Sequence, residues 1–260
     1  MALTISIANQ KGGVAKTTTA LNLSAALSFA AKNVLLMDID PQANATAALL
    51  DDFESRVKNS YTVFLNPSSI NDNIIKTKSA NLSILPSTPA LLNLERDIGQ
   101  ADDRTERLFK ARKQVNDMFD YIIIDCPPSL TLMPINGLTA SDYAIIPIQC
   151  EYFSMEGLSQ IIDVISEIRE TKNLGLRVMG ILLTMYDDSV ESAQEVIDQV
   201  REVFTEKVFT TVIPRDPSLS EAPSHGVSVF AYDVSSHGAF SYIKLAEEVL
   251  EHGENRQEAE

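Results

Sequence analysis

The chain has 260 residues, 45% hydrophobic and 22% charged, values that exclude a wholly disordered polypeptide and suffice for one α/β domain with a large buried core. With 21 basic against 36 acidic residues the net charge is −15 and the pI near 4.6. That balance disfavours broad, non-specific attachment to nucleic-acid phosphates or anionic lipid, without excluding a local basic patch. Two cysteines, Cys126 and Cys150, are too few for a disulfide scaffold and read as reduced cytosolic thiols. The opening MALTISIANQ lacks the basic stretch and long apolar core of a signal peptide. No apolar run approaches the roughly 18 residues that span a bilayer. A soluble intracellular protein is expected.

In chain order, short apolar runs predict strands at Leu3–Ala8, Val34–Asp38, Leu82–Leu85, Tyr121–Asp125, Ala144–Ile148, Val178–Leu183 and Val208–Ile213. Several are continuously apolar, as parallel strands covered on both faces must be. Helical patterns lie between them at Thr17–Phe29, Arg104–Met118, Met155–Arg169, Ser192–Phe204 and Phe240–Leu250. Alternating strand and helix implies a single-domain α/β fold, a twisted and mostly parallel sheet flanked by helices. Asp51–Ala80 is the least regular stretch and reads as a surface excursion. The segment Glu247–Glu260 carries six Glu and one Arg, so residues 251–260 are expected to form an acidic, disordered tail behind a domain at 1–250.

The sharpest motif is Lys11-Gly12-Gly13-Val14-Ala15-Lys16-Thr17-Thr18, after the first predicted strand and opening the first helix. Glycines let backbone N–H groups close around phosphate oxygens, and a helix N-terminus adds partial positive charge. Lys16 is placed to reach the β- and γ-phosphates, and the Thr17 hydroxyl to bind Mg²⁺. The pattern GxxxxGK[ST] is not met literally, because its glycines fall on Gln10 and Ala15. Two further strands, ending in Asp38-Ile39-Asp40-Pro41 and Asp125-Cys126-Pro127-Pro128, deliver carboxylates to the edge where open α/β sheets bind ligands. A carboxylate there, Asp38 or Asp125, can hold Mg²⁺ through its waters, and another can orient an attacking water. Alone, each aspartate would read as a helix cap or turn residue. With the lysine-threonine loop they form a nucleotide-hydrolase constellation.

These segments resemble the deviant P-loop ATPases of the ParA/Soj partition family. The resemblance takes in Ala8-Asn9-Gln10-Lys11-Gly12-Gly13-Val14, Asp38–Thr46, Asp125–Ser129, Pro147-Ile148-Gln149-Cys150-Glu151-Tyr152-Phe153, Val212–Arg215 and Leu219–Gly226. It implies an Mg²⁺-dependent ATP hydrolase that switches between monomer and ATP-sandwich homodimer. Lys11 matches the family's extra lysine, which reaches the nucleotide of the opposing subunit. Asp40 matches the residue that positions the hydrolytic water, and Asp125 the carboxylate ending the second phosphate-site strand. Thr184-Met185 and Pro214-Arg215 would border the adenine. The implied partners are a centromere-binding ParB-type activator and non-specific DNA, and the implied placement is cytoplasmic or nucleoid-associated.

Two departures qualify the resemblance. The family's usual glycine before the catalytic lysine is Ala15, whose methyl would press toward the phosphate at positive φ; tolerance rather than loss is expected, because every charged partner remains. Positions where relatives often carry arginines read Ser189, Ser218, Ser235 and His237, and Tyr186–Glu206 holds seven acids and one arginine. DNA binding is therefore in doubt, and the remaining cationic candidate is Arg104, Arg107, Lys110, Arg112 and Lys113. That segment also reads as an ordinary solvated helix face. Cys126 and Cys150 are not spaced as iron–sulfur ligands and read as small buried side chains. The three histidines lack metal-ligand spacing, and the acidic C-terminal helix is wrong for membrane attachment. Two alternatives stay open: an ATPase of this type that positions a protein cargo, and a nucleotide-binding regulator without useful turnover.

Overall fold

A computed structural model describes residues 1–50, 57–129, 131–151 and 154–259. Its centre is an eight-stranded sheet in the order β3-β4-β2-β5-β1-β6-β7-β8. In chain order these are β1 Leu3–Ile7, β2 Val34–Asp38, β3 Ile75–Lys76, β4 Leu82–Leu85, β5 Tyr121–Asp125, β6 Tyr143–Gln149, β7 Arg177–Tyr186 and β8 Val208–Pro214. Every pairing is parallel except that of the two-residue edge strand β3 with β4. The seven predicted strands are all present, three with the expected ends (β2, β4 and β5) and four with shifted ones. β3 was too short to leave a periodic signal.

Both faces of the sheet are covered, which is why the central strands are buried throughout and mostly apolar. Alternation along β5 divides the core: Ile122 and Ile124 join one cluster with Leu35, Met37 and Ile146. Tyr121 and Ile123 join the other with Ile5, Ile7 and Leu36. The second face is closed by α1 (Lys16–Phe29) and the C-terminal helix. The first is closed by α2 (Arg107–Lys113), α3 (Leu132–Thr139), α4 (Ser154–Thr171) and α5 (Glu191–Phe204).

The structure corrects four expectations. Helix α3 was not predicted, because LMPINGLT contains Pro134 and Gly137. Pro134 is tolerated in the first turn, where its missing N–H has no intrahelical role. Gly137 is required by close packing, since a Cβ there would lie 2.8 Å from the Cys126 sulfur. The helix predicted over Arg104–Met118 is confined to α2. The supposed excursion contributes core: Val63, Phe64 and Ile70 are fully buried, on a helical turn at Ser60–Leu65 capped by the Asn59 side chain. Its residues 51–56 lie outside the described residues, as do Tyr152 and Phe153 of the quoted motif. Finally, the last helix, α6, runs His237–Ala259 through the segment expected to be a disordered tail. It is held there by packing. The Glu248 carboxylate accepts the N–H groups of Thr210 and Thr211 at 2.9 and 2.8 Å, Val249 is fully buried, and Gly253 makes room for the Tyr121 hydroxyl.

Candidate functional site

Sheet order reverses direction at β1, flanked by β5 on one side and β6 on the other. The loop after β1 therefore sits at the crevice where open α/β sheets bind ligands. It opens α1 through left-handed backbone at Gly13 (φ 74°) and Ala15 (φ 65°), the alternation that turns successive N–H groups inward into an anion-binding nest. A Cβ on either Gly12 or Gly13 would meet nothing within 4 Å, so the concavity is open. Val14 is buried behind it.

Lys16, 6% exposed, donates from Nζ to the Lys11 carbonyl at 2.7 Å. Burial lowers its pKa, opposed by the carboxylates of Asp125 and Asp40. Asp125 and Asp38 face each other in register across β5 and β2, and both are fully buried. Burial pushes Asp38 up to about 7. Burial, then the Asp38 charge, raises Asp125 well above the carboxylate range, against the favourable neighbours Thr17 and Lys16. Although Thr17 is close, neither Asp125 oxygen has a hydrogen bond of good geometry. Two adjacent buried carboxyls disfavour each other's charge, and a cation beside Asp125 would relieve that cost.

The two metal candidates differ. Asp38 is engaged: Oδ2 accepts from Thr46 N at 2.9 Å and Thr46 Oγ1 at 2.7 Å, and Oδ1 from Asp40 N at 3.1 Å. It braces the turn that presents Asp40. Asp125, with Thr17 beside it, has free acceptor capacity. Asp40 is 7% exposed, and its Oδ1 accepts from Gln42 N at 2.9 Å. Lys11 sits on the rim, where Nζ lies 3.8 Å from Glu151 of the same chain.

The other predicted group comes together beside the loop. Met185, Pro214 and Arg215 line a cavity of about 190 Å³ with Ala15, Thr18 and Tyr242. All the predicted site residues thus gather at one end of the sheet. Sequence reasoning gave no separate role to Gln149, Glu151 or Thr46. All three lay inside quoted motifs, and the role of Thr46 became visible only through its contact with Asp38.

This geometry, a nest opening a helix with a buried lysine and in-register acids, has close counterparts. The family described as an AAA domain matches residues 2–178. The chain is 45% identical over 249 residues to the sporulation initiation inhibitor protein Soj of Bacillus subtilis, covering 96% of this chain and 98% of that protein. The chain belongs to the ParA/Soj family of partition ATPases. A second member, the chromosome partitioning protein ParA of Myxococcus xanthus, is 42% identical over 95% of this chain and 87% of its own length. A Mycobacterium smegmatis structure described as cobyrinic acid a,c-diamide synthase with bound ATP analogue and magnesium superposes with a TM-score of 0.87 at 32% identity. It covers 97% of this chain and 95% of that one. The ParA/Soj sheet with helices on both faces is the architecture found here.

The basic segment Arg104–Lys113 is largely consumed by the fold. Asp103 pairs with Arg107 and Lys110, each at 2.7 Å. Arg112 binds Asp142 at 3.2 Å and Thr4 Oγ1 at 2.8 Å, and Lys113 lies over the Phe109 ring. Arg104 and Lys113 stay exposed without a carboxylate partner among the ion pairs of the described residues. Both cysteines are buried and unpaired, and burial pushes Cys126 up to about 12 and Cys150 up to about 11, so neither is a reactive thiolate. Among the described residues no cluster of three or more His, Cys, Asp or Glu could hold a metal, and no helix is long and apolar enough to cross a membrane.

Proposed function

We propose that this ParA/Soj member is an Mg²⁺-dependent ATP hydrolase that alternates between a monomer and an ATP-sandwich dimer in DNA segregation. The observation that carries the reading is buried Asp125, in register with Asp38 and beside the desolvated Lys16, with both of its oxygens unpartnered. The N–H groups of Gly12 to Thr18 cradle phosphates, and Lys16 leaves the Lys11 carbonyl to compensate their charge. Thr17 and Asp125 would hold Mg²⁺, and Asp38 supports Asp40. Bound magnesium would supply charge neutralisation on the phosphate oxygens. Asp40 orients the attacking water, and Lys11 is released from Glu151 to the nucleotide of the opposing subunit. Met185, Pro214 and Arg215 flank the base. A ParB-type activator and Asp40-dependent turnover complete the cycle.

The test is magnesium-dependent ATP turnover. Wild-type protein turns over ATP, whereas Lys16→Ala and Asp125→Asn lose turnover by at least 100-fold, on the order of one transition-state charge contact. Unchanged turnover in Asp125→Asn contradicts the assignment.

A second reading, a protein cargo in place of DNA, is favoured by one feature. Three of the four positions named for arginine in relatives close Asp-x-Ser turns. Ser189 N donates to Asp187 at 3.0 Å, Ser218 N to Asp216 at 2.9 Å and Ser235 N to Asp233 at 3.0 Å. Hydrogen bonds from Ser189 hold Asp187 below the usual carboxylate range. Negative charge at these three turns opposes phosphate contact.

A further inference from the structure

A loop whose N–H groups point inward to phosphate must turn its carbonyls outward, and those carbonyls need partners elsewhere. Here the partners come from the ends of β6 and β7. Gln149 donates from Nε2 to the Gly13 carbonyl at 2.9 Å. The Thr184 hydroxyl, fully buried, donates to Ile148 O at 2.9 Å and leans toward Val14 O at 3.3 Å. The same Gln149 amide nitrogen reaches the Met185 sulfur at 3.2 Å, so its two N–H hydrogens serve two different walls of the site. One fixes the phosphate loop and the other the wall of the neighbouring cavity.

Met185 needs such support. It is a non-glycine residue in left-handed backbone at φ 56°, a conformation that costs on the order of 1–2 kcal/mol and persists only when its surroundings impose it. Flanking backbone bonds hold it there, from Cys150 N to Thr184 O at 3.1 Å and from Arg215 N to Tyr186 O at 2.7 Å. Gln149 is the side chain that ties this constrained residue to the loop. The amide orientation is fixed by its partners, because the opposite flip would set Oε1 against the Gly13 carbonyl oxygen.

We propose that Gln149 is a positioning residue that sets the spacing between the phosphate loop and the Met185 wall, and thereby both nucleotide affinity and base preference. This rests on the nucleotide-binding reading above. Gln149 touches no reacting atom, and its effect is exerted through Gly13 and Met185.

The test uses Gln149→Glu, which keeps the shape but opposes a carboxylate to the Gly13 carbonyl, and Gln149→Met, which keeps the length but cannot donate. Dissociation constants for ATP, ADP and GTP with magnesium are measured by calorimetry, beside the melting temperature of nucleotide-free protein. Both variants should bind ATP and ADP about tenfold more weakly, as expected for one lost hydrogen bond, and the ATP-over-GTP ratio should narrow severalfold. A weakened ATP affinity with an unchanged base ratio overturns the proposal, as does wild-type affinity in both variants. If neither variant folds, Gln149 is a structural residue and the proposal falls. Absence of ATP binding by the wild-type protein would instead remove the nucleotide reading on which it stands.

Discussion

Lys11 Nζ and Glu151 Oε2 of one chain stand 3.8 Å apart, both partly exposed. The lysine that the proposed dimer sends across its interface is thus engaged by its own subunit. Glu151 lies two residues beyond Gln149, the last residue of β6, so the same strand end meets the loop at Gly13 and at Lys11. An exposed pair of this kind contributes about 0–1 kcal/mol, enough to tune an equilibrium without blocking it.

Glu151→Gln should therefore favour the ATP dimer, lowering the midpoint protein concentration by roughly threefold to tenfold when both lysines are freed. Lys11→Ala should bind ATP as a monomer and fail to dimerise. Sedimentation at graded protein concentration reads both effects, and a weaker dimer in Glu151→Gln would show that Glu151 supports the interface.

Ala15 adopts φ 65° at the start of α1, where glycine avoids the Cβ penalty. Relief of strain, offset by the greater freedom of glycine in the unfolded chain, leaves Ala15→Gly more stable by about 0.5–1 kcal/mol. Its melting temperature should rise by about 1–3 °C with ATP affinity kept or improved. A fall in melting temperature would mean that the methyl has a packing role.

The buried acids make a signed pH prediction. Asp125 titrates well above its unfolded value and Asp38 near 7, so the folded state holds protons that the unfolded state has released. Nucleotide-free protein should lose stability as pH rises from about 4 through 7, the range between unfolded and folded titration. Asp125→Asn removes one of these groups and should flatten that loss, melting higher than wild type at pH 8. With magnesium and ATP the order should reverse, because the variant has no ligand to offer. Melting curves at pH 5.5 and 8 test it, and a variant less stable than wild type at pH 8 without nucleotide would refute it.

Arg112 is a structural cation. Arg112→Ala leaves Asp142 and Thr4 without its guanidinium and should cost about 2–3 kcal/mol. The salt dependence of any DNA binding should stay unchanged. A flatter salt slope would place DNA on α2 after all.

The central sheet was legible because strands buried on both faces carry continuous apolar runs, as in Tyr121–Ile124. The phosphate loop was legible because its chemistry needs lysine and threonine adjacent. What stayed hidden depends on contacts distant in sequence. Thr46 occupies Asp38, which leaves Asp125 the carboxylate with free acceptor capacity. Pro134 and Gly137 concealed a helix whose glycine is dictated by Cys126. Asp103 and Asp142 neutralise cations that looked free when read along the chain. The final helix outran its predicted end because Tyr121 and Phe209, far upstream, offer it a surface.

The most direct measurement is the mass of Asp40→Ala by light scattering, with magnesium and either ATP or ADP. Loss of the water-orienting carboxylate should leave ATP bound and unhydrolysed. The account predicts a stable dimer with ATP and a monomer with ADP, and wild-type protein forming only a transient dimer. A monomer at saturating ATP, with ATP binding confirmed in the same sample, would contradict it.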